Sequence, residues 1–197
     1  METEIRASAD REFEEASDLL AVQETLRGNR NAFAAIVQRY TPLLYSLAFR
    51  MLGHGEEAEE AVQEILLRAF RGLERFRLGS RFHPWLYTVA LNYLRTVARH
   101  RHRRRGLRLV PLGEETDAVT DRGEHPGTAL EREDGERLAR RALAELAPLY
   151  REVFLLRAVE GLSVRDAAEA LGIPEGTVKV RLHRARQELA RRLAELD

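Results

Sequence analysis

Apolar residues in this chain recur every three or four positions along most of its length, and charge fills the positions between them. That pattern predicts amphipathic helices. From Asp18, the residues Leu19, Leu20, Val22 and Leu26 lead to Gly28, and Asn31 stands where it can cap the next helix. This second helix carries Phe33, Ile36, Val37, Tyr40, Leu44, Leu47 and Met51 on one face, with Pro42 placed to bend it and Gly53 and Gly55 to end it. Residues 56–73 put Ala58, Ala61, Val62, Ile65, Leu66 and Ala69 on a core face and Glu57, Glu60, Gln63 and Glu64 nearer its edge. The stretch 76–82, FRLGSRF, reads as a loop. His83 and Pro84 then open a long helix through Trp85, Leu86, Val89, Ala90, Tyr93, Leu94 and Val97, which runs into RHRHRRR.

The pattern near the C-terminus is more specific. Ser163 with Asp166 three residues on is a capping signature, and Val164, Ala167, Ala168 and Leu171 follow at helical spacing. A short helix therefore starts at Ser163. Gly172 can take the left-handed backbone that ends it, and Pro174 suits the first turn of the next helix, where a missing N–H costs nothing. Val178, Leu182, Ala185, Leu189 and Leu193 then form one apolar stripe, with Lys179, Arg181, Arg184, Arg186, Arg191 and Arg192 mostly off it. A plain helical hairpin with a solvated basic face has the same outline. The distribution of charge favours a helix-turn-helix: residues 175–197 hold six Lys or Arg against four acids, and three of the acids, Glu188, Glu195 and Asp197, fall in the second half. The start of the second helix, which enters the major groove in such motifs, is left basic.

Composition agrees with an all-α chain, because 32% of its 197 residues are charged and the runs are built from helix formers. The formal net charge of zero is a cancellation. Residues 1–18 contain seven acids and two Arg, residues 95–108 seven Arg and no acid, and residues 112–136 nine acids and two Arg. Segregation of this kind suggests separate electrostatic partners. The stretch 111–136 combines Pro, Gly, Thr and acids with almost no apolar periodicity and reads as a flexible acidic linker. The expected organisation is an acidic, mobile arm over 1–17, a helical domain over 18–105, the linker over 106–136 and a second small helical domain over 137–197. With no Cys, no signal peptide and no apolar run long enough to span a bilayer, the chain is expected to be cytoplasmic, without membrane insertion.

Two elements carry candidate chemistry. The aromatic residues in and beside the loop, Phe76, Phe82, Trp85 and Tyr87, precede the Arg-rich helix end and together supply flat surfaces and cations, the two components of single-strand binding. Individually such residues are most often core, and Phe82 and Trp85 are assigned there. Seven Arg within fourteen residues would repel one another unless a polyanion were near. An enzyme is disfavoured: the six His are scattered, His100 and His102 point to different sides of a helix, and there is no phosphate-cradling Gly loop and no Cys nucleophile. No catalytic residue, cofactor or metal is assigned. A repressor using only the C-terminal domain would leave the aromatic loop unexplained, and an adaptor binding through its acidic helix face would leave the basic helices unexplained.

Two blocks of sequence carry a resemblance. AVQEILLRAFRGLERF followed by FHPWLYTVALNYLRTVARHRHRRR resembles region 2 of bacterial sigma factors of the extracytoplasmic-function (ECF) group. LAELAPLYREVFLLRAVEGLSVRDAAEALGIPEGTVKVRLHRARQEL is similar to their region 4. The order and separation of the blocks also match. The resemblance implies that region 2 docks on bacterial core RNA polymerase through Glu60, Gln63 and Glu64 and binds the non-template strand of the −10 element through Phe76, Ser80, Arg81, Asn92, Arg95 and Arg99. It implies that region 4 reads the duplex −35 element of promoter DNA with Thr177, Lys179, Arg181, His183 and Arg184, that the acidic linker follows a path normally taken by nucleic acid, and that an anti-sigma factor is a partner. The chain departs from the family pattern in its loop, where Leu78-Gly79-Ser80-Arg81 replaces the usual Gly-acid-Ser, and at Pro84, where Thr is usual.

Overall fold

The computed structural model describes residues 2–107 and 126–196; positions 108–125 of the expected linker lie outside the described residues. Among the described residues the chain is helical and forms no strand. Helices α1 (Glu2–Leu26), α2 (Phe33–Leu52), α3 (Gly55–Gly72) and α4 (Phe82–Leu107) make the N-terminal half. Helices α5 (Pro126–Glu145), α6 (Pro148–Phe154), α7 (Val164–Leu171) and α8 (Glu175–Leu196) make the C-terminal half.

The apolar stripes become the core. Phe33, Ile36, Tyr40, Leu44 and Leu47 of α2 are buried against Ala58, Ala61, Val62, Ile65, Leu66 and Ala69 of α3 and Leu86, Ala90, Leu91 and Leu94 of α4. Helix α2 runs through Pro42 without interruption and ends at Gly53, whose φ of 79° is the left-handed conformation that favours glycine. Asn31 does not cap α2. It is exposed within a 3-10 turn, Arg30–Ala32, that leads directly into the helix, so Ala32 in the first-residue position already has helical backbone angles and no side-chain cap bond forms.

Two segments are more ordered than their apolar pattern suggests. Helix α1 begins at Glu2 and so includes the stretch expected as a mobile arm. Val22 joins the core farther along α1, but the ties at 14–18 are polar: Arg39 of α2 bonds to the Glu14 carbonyl, the Ser17 hydroxyl and the Asp18 carboxylate, and Glu15 accepts the Phe82 N–H at the start of α4. Such contacts leave no hydrophobic period to detect. Helix α5 likewise takes in 126–136 of the expected linker, starting on a proline, which is pre-organised for a first turn. Farther along it, Ala142 and Leu143, with Leu146 just beyond, pack on Ala185 and Leu189 of α8.

The two halves are packed on each other. A single apolar cluster runs from Ile36, Leu47 and Leu91 to Val153, Leu155, Leu156, Leu162, Ala167 and Val178. Helix α7 lies along α4, and small buried residues Ala167, Ala168 and Ala170 allow its backbone to come close: the Thr88 hydroxyl is 3.2 Å from the Ala170 carbonyl. Domain-by-domain reading of the sequence does not contain this contact.

Candidate nucleic-acid and polymerase interfaces

The helix-turn-helix is built locally. The Ser163 hydroxyl oxygen accepts the Asp166 N–H at 3.0 Å and donates its proton to Asp166 Oδ2 at 2.6 Å, closing the first turn of α7. Gly172, at φ 67°, ends the helix, and the Ile173 N–H returns to the Ala168 carbonyl at 3.0 Å. The Pro174 carbonyl accepts the N–H groups of Thr177 and Val178, which starts α8 one residue after the proline. Val178, Leu182, Ala185 and Leu189 are buried, and Leu193 is half-buried.

Charges along α8 differ in what they touch. Lys179, His183 and Arg184 are exposed, Thr177 and Arg181 half-buried, and among the described residues no carboxylate pairs with Lys179, Arg181 or Arg184. Farther along, Arg191 pairs with Glu195 at 2.5 Å, and Arg192 pairs with Glu188 at 2.9 Å and with Glu145 of α5. The first half of α8 thus offers cations to an external anion, while the second half has its charge largely neutralised in place.

In the N-terminal half, the loop turns at Gly79, with φ 101°, and delivers an aromatic cluster. Phe76 is buried, with its ring 5.1 Å from Trp85 and 5.8 Å from Phe82 in edge-to-face contacts. Phe82 and Tyr87 are fully buried and Trp85 half-buried, so the assignment of Phe82 to core holds, and Trp85 packs at its edge. Ser80 and Arg81 are half-buried; Asn92 and Arg99 are exposed. Asn92, Arg95 and Arg99 lie at intervals of three and four residues, on one face of α4. Arg95 is committed: its guanidinium makes a two-point contact with Glu152 of α6, at 2.8 and 2.7 Å. Arg81 is committed as well, to Asp166 of α7.

Helix α3 presents Glu60 and Gln63 to solvent, with Glu64 half-buried beside them. Arg68 donates to Glu64 at 2.7 Å and lies over the Tyr93 ring at 4.8 Å, fixing that edge of the face. The opposite side of α3 is core, so the acidic edge is free of any fold-bearing burial. Among the described residues no group of three or more His, Asp or Glu could hold a metal ion, and no helix is long and apolar enough to cross a membrane.

Where the halves meet there is an open cleft of about 940 Å³. Asn92, Arg95, Arg99 and Arg103 line it from α4, Arg151 and Glu152 from α6, and Arg181 from α8. Side chains expected at the downstream promoter element and one expected at the upstream element therefore stand around the same space. Sequence reasoning placed each set on its helix and missed that they converge; the partners of Arg81 and Arg95, Asp166 and Glu152, had no signal other than being acids that the fold buries.

Comparison with known proteins finds two family regions in the chain. Residues 36–105 match the family described as Sigma-70 region 2, and residues 136–189 match Sigma-70, region 4. The chain is 32% identical over 181 residues to the ECF RNA polymerase sigma factor SigW of Bacillus subtilis, covering 89% of this chain and 96% of that protein. It is 31% identical over 188 residues to the RNA polymerase sigma-H factor of Pseudomonas aeruginosa, covering 91% and 95%. Among solved structures, CnrH in complex with the cytosolic domain of CnrY superposes with a TM-score of 0.68 at 25% identity, over 92% of this chain and 99% of that one. The sigma factor RpoE of Bartonella quintana, in complex with the anti-sigma factor NepR, gives 0.66 at 26% identity, over 84% and 98%. With both regions in order on one all-α chain, and relatives matched over nearly their whole length, the protein belongs to the ECF group of RNA polymerase sigma factors, which direct promoter-specific initiation of transcription.

Proposed function

We propose that the chain works with two separate DNA-reading faces and one polymerase-docking face. Lys179, Arg181, His183 and Arg184, with Thr177, read the duplex −35 element from the start of α8. Asn92, Arg95 and Arg99 on α4, with Ser80 and Arg81 in the loop, receive the single-stranded −10 element, and the buried Phe76 supports that site from the aromatic cluster beneath it. Glu60, Gln63 and Glu64 on α3 bind core polymerase. The observation that carries this reading is the asymmetry of α8, in which cations without acidic partners occupy the N-terminal half and paired cations the C-terminal half. Groove-reading helices touch bases with their N-terminal part, where the unpaired charge lies. Phosphate and base contacts would both draw on it.

On this reading the protein has no catalytic activity of its own, acts in the cytoplasm, and is held in check by an anti-sigma protein. The solved complex of RpoE with NepR supports that last point by its likeness to this chain. The test is co-elution with bacterial core RNA polymerase, repeated with Glu60→Lys, Gln63→Ala and Glu64→Lys combined. Wild type should elute with core and the triple variant should not, while both keep the same helical content. Failure of the wild-type chain to bind core rejects the proposal.

A further inference from the structure

Resting on the reading of the loop as part of the −10 face, we propose that Glu15 of α1 is a positioning residue for that face: its carboxylate caps α4 from outside the loop and so sets where Ser80 and Arg81 stand for the single strand. A stretch with no promoter or polymerase contact of its own thereby acts on −10 capture.

A loop that receives a single strand has to be fixed at both ends. This one begins at Phe76, whose N–H returns to the Leu73 carbonyl at 2.9 Å, and it ends at Phe82, the first residue of α4. The first N–H groups of a helix have no partner within it and need an acceptor from elsewhere. Pro84 has no N–H to satisfy, and Arg81, the residue just before the helix, has only donors, which it gives to Asp166. The acceptor for the Phe82 N–H is the Glu15 carboxylate, 67 positions earlier in the chain. Its negative charge also complements the positive pole of the helix dipole at that end.

The same face of α1 reaches the loop by a second route. Asp18 lies three residues on from Glu15, on the same side of the helix, and accepts the Tyr40 hydroxyl. The Tyr40 ring in turn meets Phe82 and His83 edge-on, at 5.9 and 5.6 Å, and Phe82 touches Phe76 at 5.8 Å and Trp85 at 5.5 Å. Arg39 keeps this segment of α1 in register through the Glu14 carbonyl, the Ser17 hydroxyl and Asp18. Helix α1 also lies against the turn Leu73–Arg75, so both ends of the loop rest on it. Glu15 itself is half-buried, and the apolar contacts of α1, Leu19, Ala21 and Val22, begin beyond it. Removing its carboxylate therefore takes away the cap and no core contact.

Core polymerase with the full-length chain provides the test. Wild-type holoenzyme is first used to enrich a −10 sequence from a randomised single-stranded DNA library, and that oligonucleotide is the probe. Glu15→Ala should weaken its binding about fivefold, the shift that loss of a helix cap produces, whereas Glu15→Gln, which keeps an oxygen acceptor, should stay within about twofold of wild type. Thr25→Ala removes the Thr25 bond to the Ala21 carbonyl roughly 15 Å along α1 from Glu15 and should leave probe affinity unchanged. Affinity for core and for duplex −35 DNA should be the same in all four proteins. Unchanged probe affinity in Glu15→Ala, or an equal loss in Glu15→Gln, overturns the positioning role. So does an equal loss in Thr25→Ala, because the effect would then follow the stability of α1 and not the cap. Amide hydrogen exchange on the wild type needs no substitution: the Phe82 N–H should be protected, and exchange as fast as in an open loop also overturns the role. A wild-type holoenzyme that enriches no single-stranded sequence rejects the −10 reading itself, whereas enrichment that Glu15→Ala leaves untouched rejects the positioning role alone.

Discussion

Asp18 shows how much of the fold hangs on a single polar side chain. It is 2% exposed, takes the Tyr40 hydroxyl and the Arg39 guanidinium, and joins α1 to α2. Burial pushes its carboxyl from 3.8 up to about 6, against the pull of Tyr40 and Arg39 and with a further push from Glu15 and Glu14. Because the folded pKa is the higher one, the folded chain holds this proton between about pH 4 and pH 6 while the unfolded chain has lost it. The stability Asp18 contributes is thus present in full below about pH 4 and declines as pH rises to about 6, by up to roughly 3 kcal/mol. Asp18→Asn keeps an acceptor for Tyr40 and should flatten this decline relative to wild type. Urea denaturation at several pH values checks it, and parallel curves for the two proteins contradict it. A different separation is expected on α8. Arg181→Ala or Arg184→Ala should relax preference at particular upstream bases, each bidentate contact to guanine being worth roughly 1–3 kcal/mol of discrimination. Arg191→Ala and Arg192→Ala, at residues already paired with Glu195 and Glu188, should lower affinity evenly across sequences or leave it unchanged, as binding to a panel of upstream sequences would show.

At the scale of elements, what could be read from sequence was what local rules determine. The α7–α8 corner was legible because Ser163, Gly172 and Pro174 each act on the backbone within a few residues of themselves. Its cap is testable: Ser163→Ala removes the acceptor for the Asp166 N–H and should cost about 1 kcal/mol in thermal denaturation. An unchanged melting temperature would mean the turn is held by other contacts. The stretch of α1 at 14–17 was not legible, since the bonds that tie it to α2 and α4 are polar and leave no apolar stripe. Nor was the π turn Leu155–Val159 that follows α6, a widening of the helix with no residue signature, after which Glu160 reaches Ser46 and Tyr87. On the proposed reading helix α3 separates fold from function, with its core on one side, Glu60 and Gln63 toward solvent and Glu64 half-buried at the edge. Glu60→Lys should weaken binding to core polymerase and shift stability by no more than about 0.5 kcal/mol, because exposed charges contribute little to folding, and Glu64→Gln, which keeps an acceptor for Arg68, should weaken binding as well. Parallel loss of melting temperature and binding in these variants would identify the two glutamates as structural.

For the molecule as a whole, the sequence divides cleanly into two regions by charge and periodicity, and their mutual packing was beyond its reach. The reason is physical: the two halves meet through the alanines of α7 and through acid-to-donor links whose partners are 57 to 114 positions apart, and no local spacing encodes such pairs. The function was more legible than the conformation, because base and phosphate readers must be charged, exposed and grouped on single helices, and grouping survives in sequence. The account makes one claim above the others: that this chain directs core polymerase to promoters by reading two elements with two separable faces. Transcription by reconstituted holoenzyme from a library randomised at both elements tests it most directly. Wild type should select defined bases at both; Arg181→Ala and Arg184→Ala should relax the upstream selection and leave the downstream one intact, because the latter resides around Asn92 and Phe76. Absence of any promoter-dependent transcript, or loss of the downstream selection with the upstream one retained, would contradict the account.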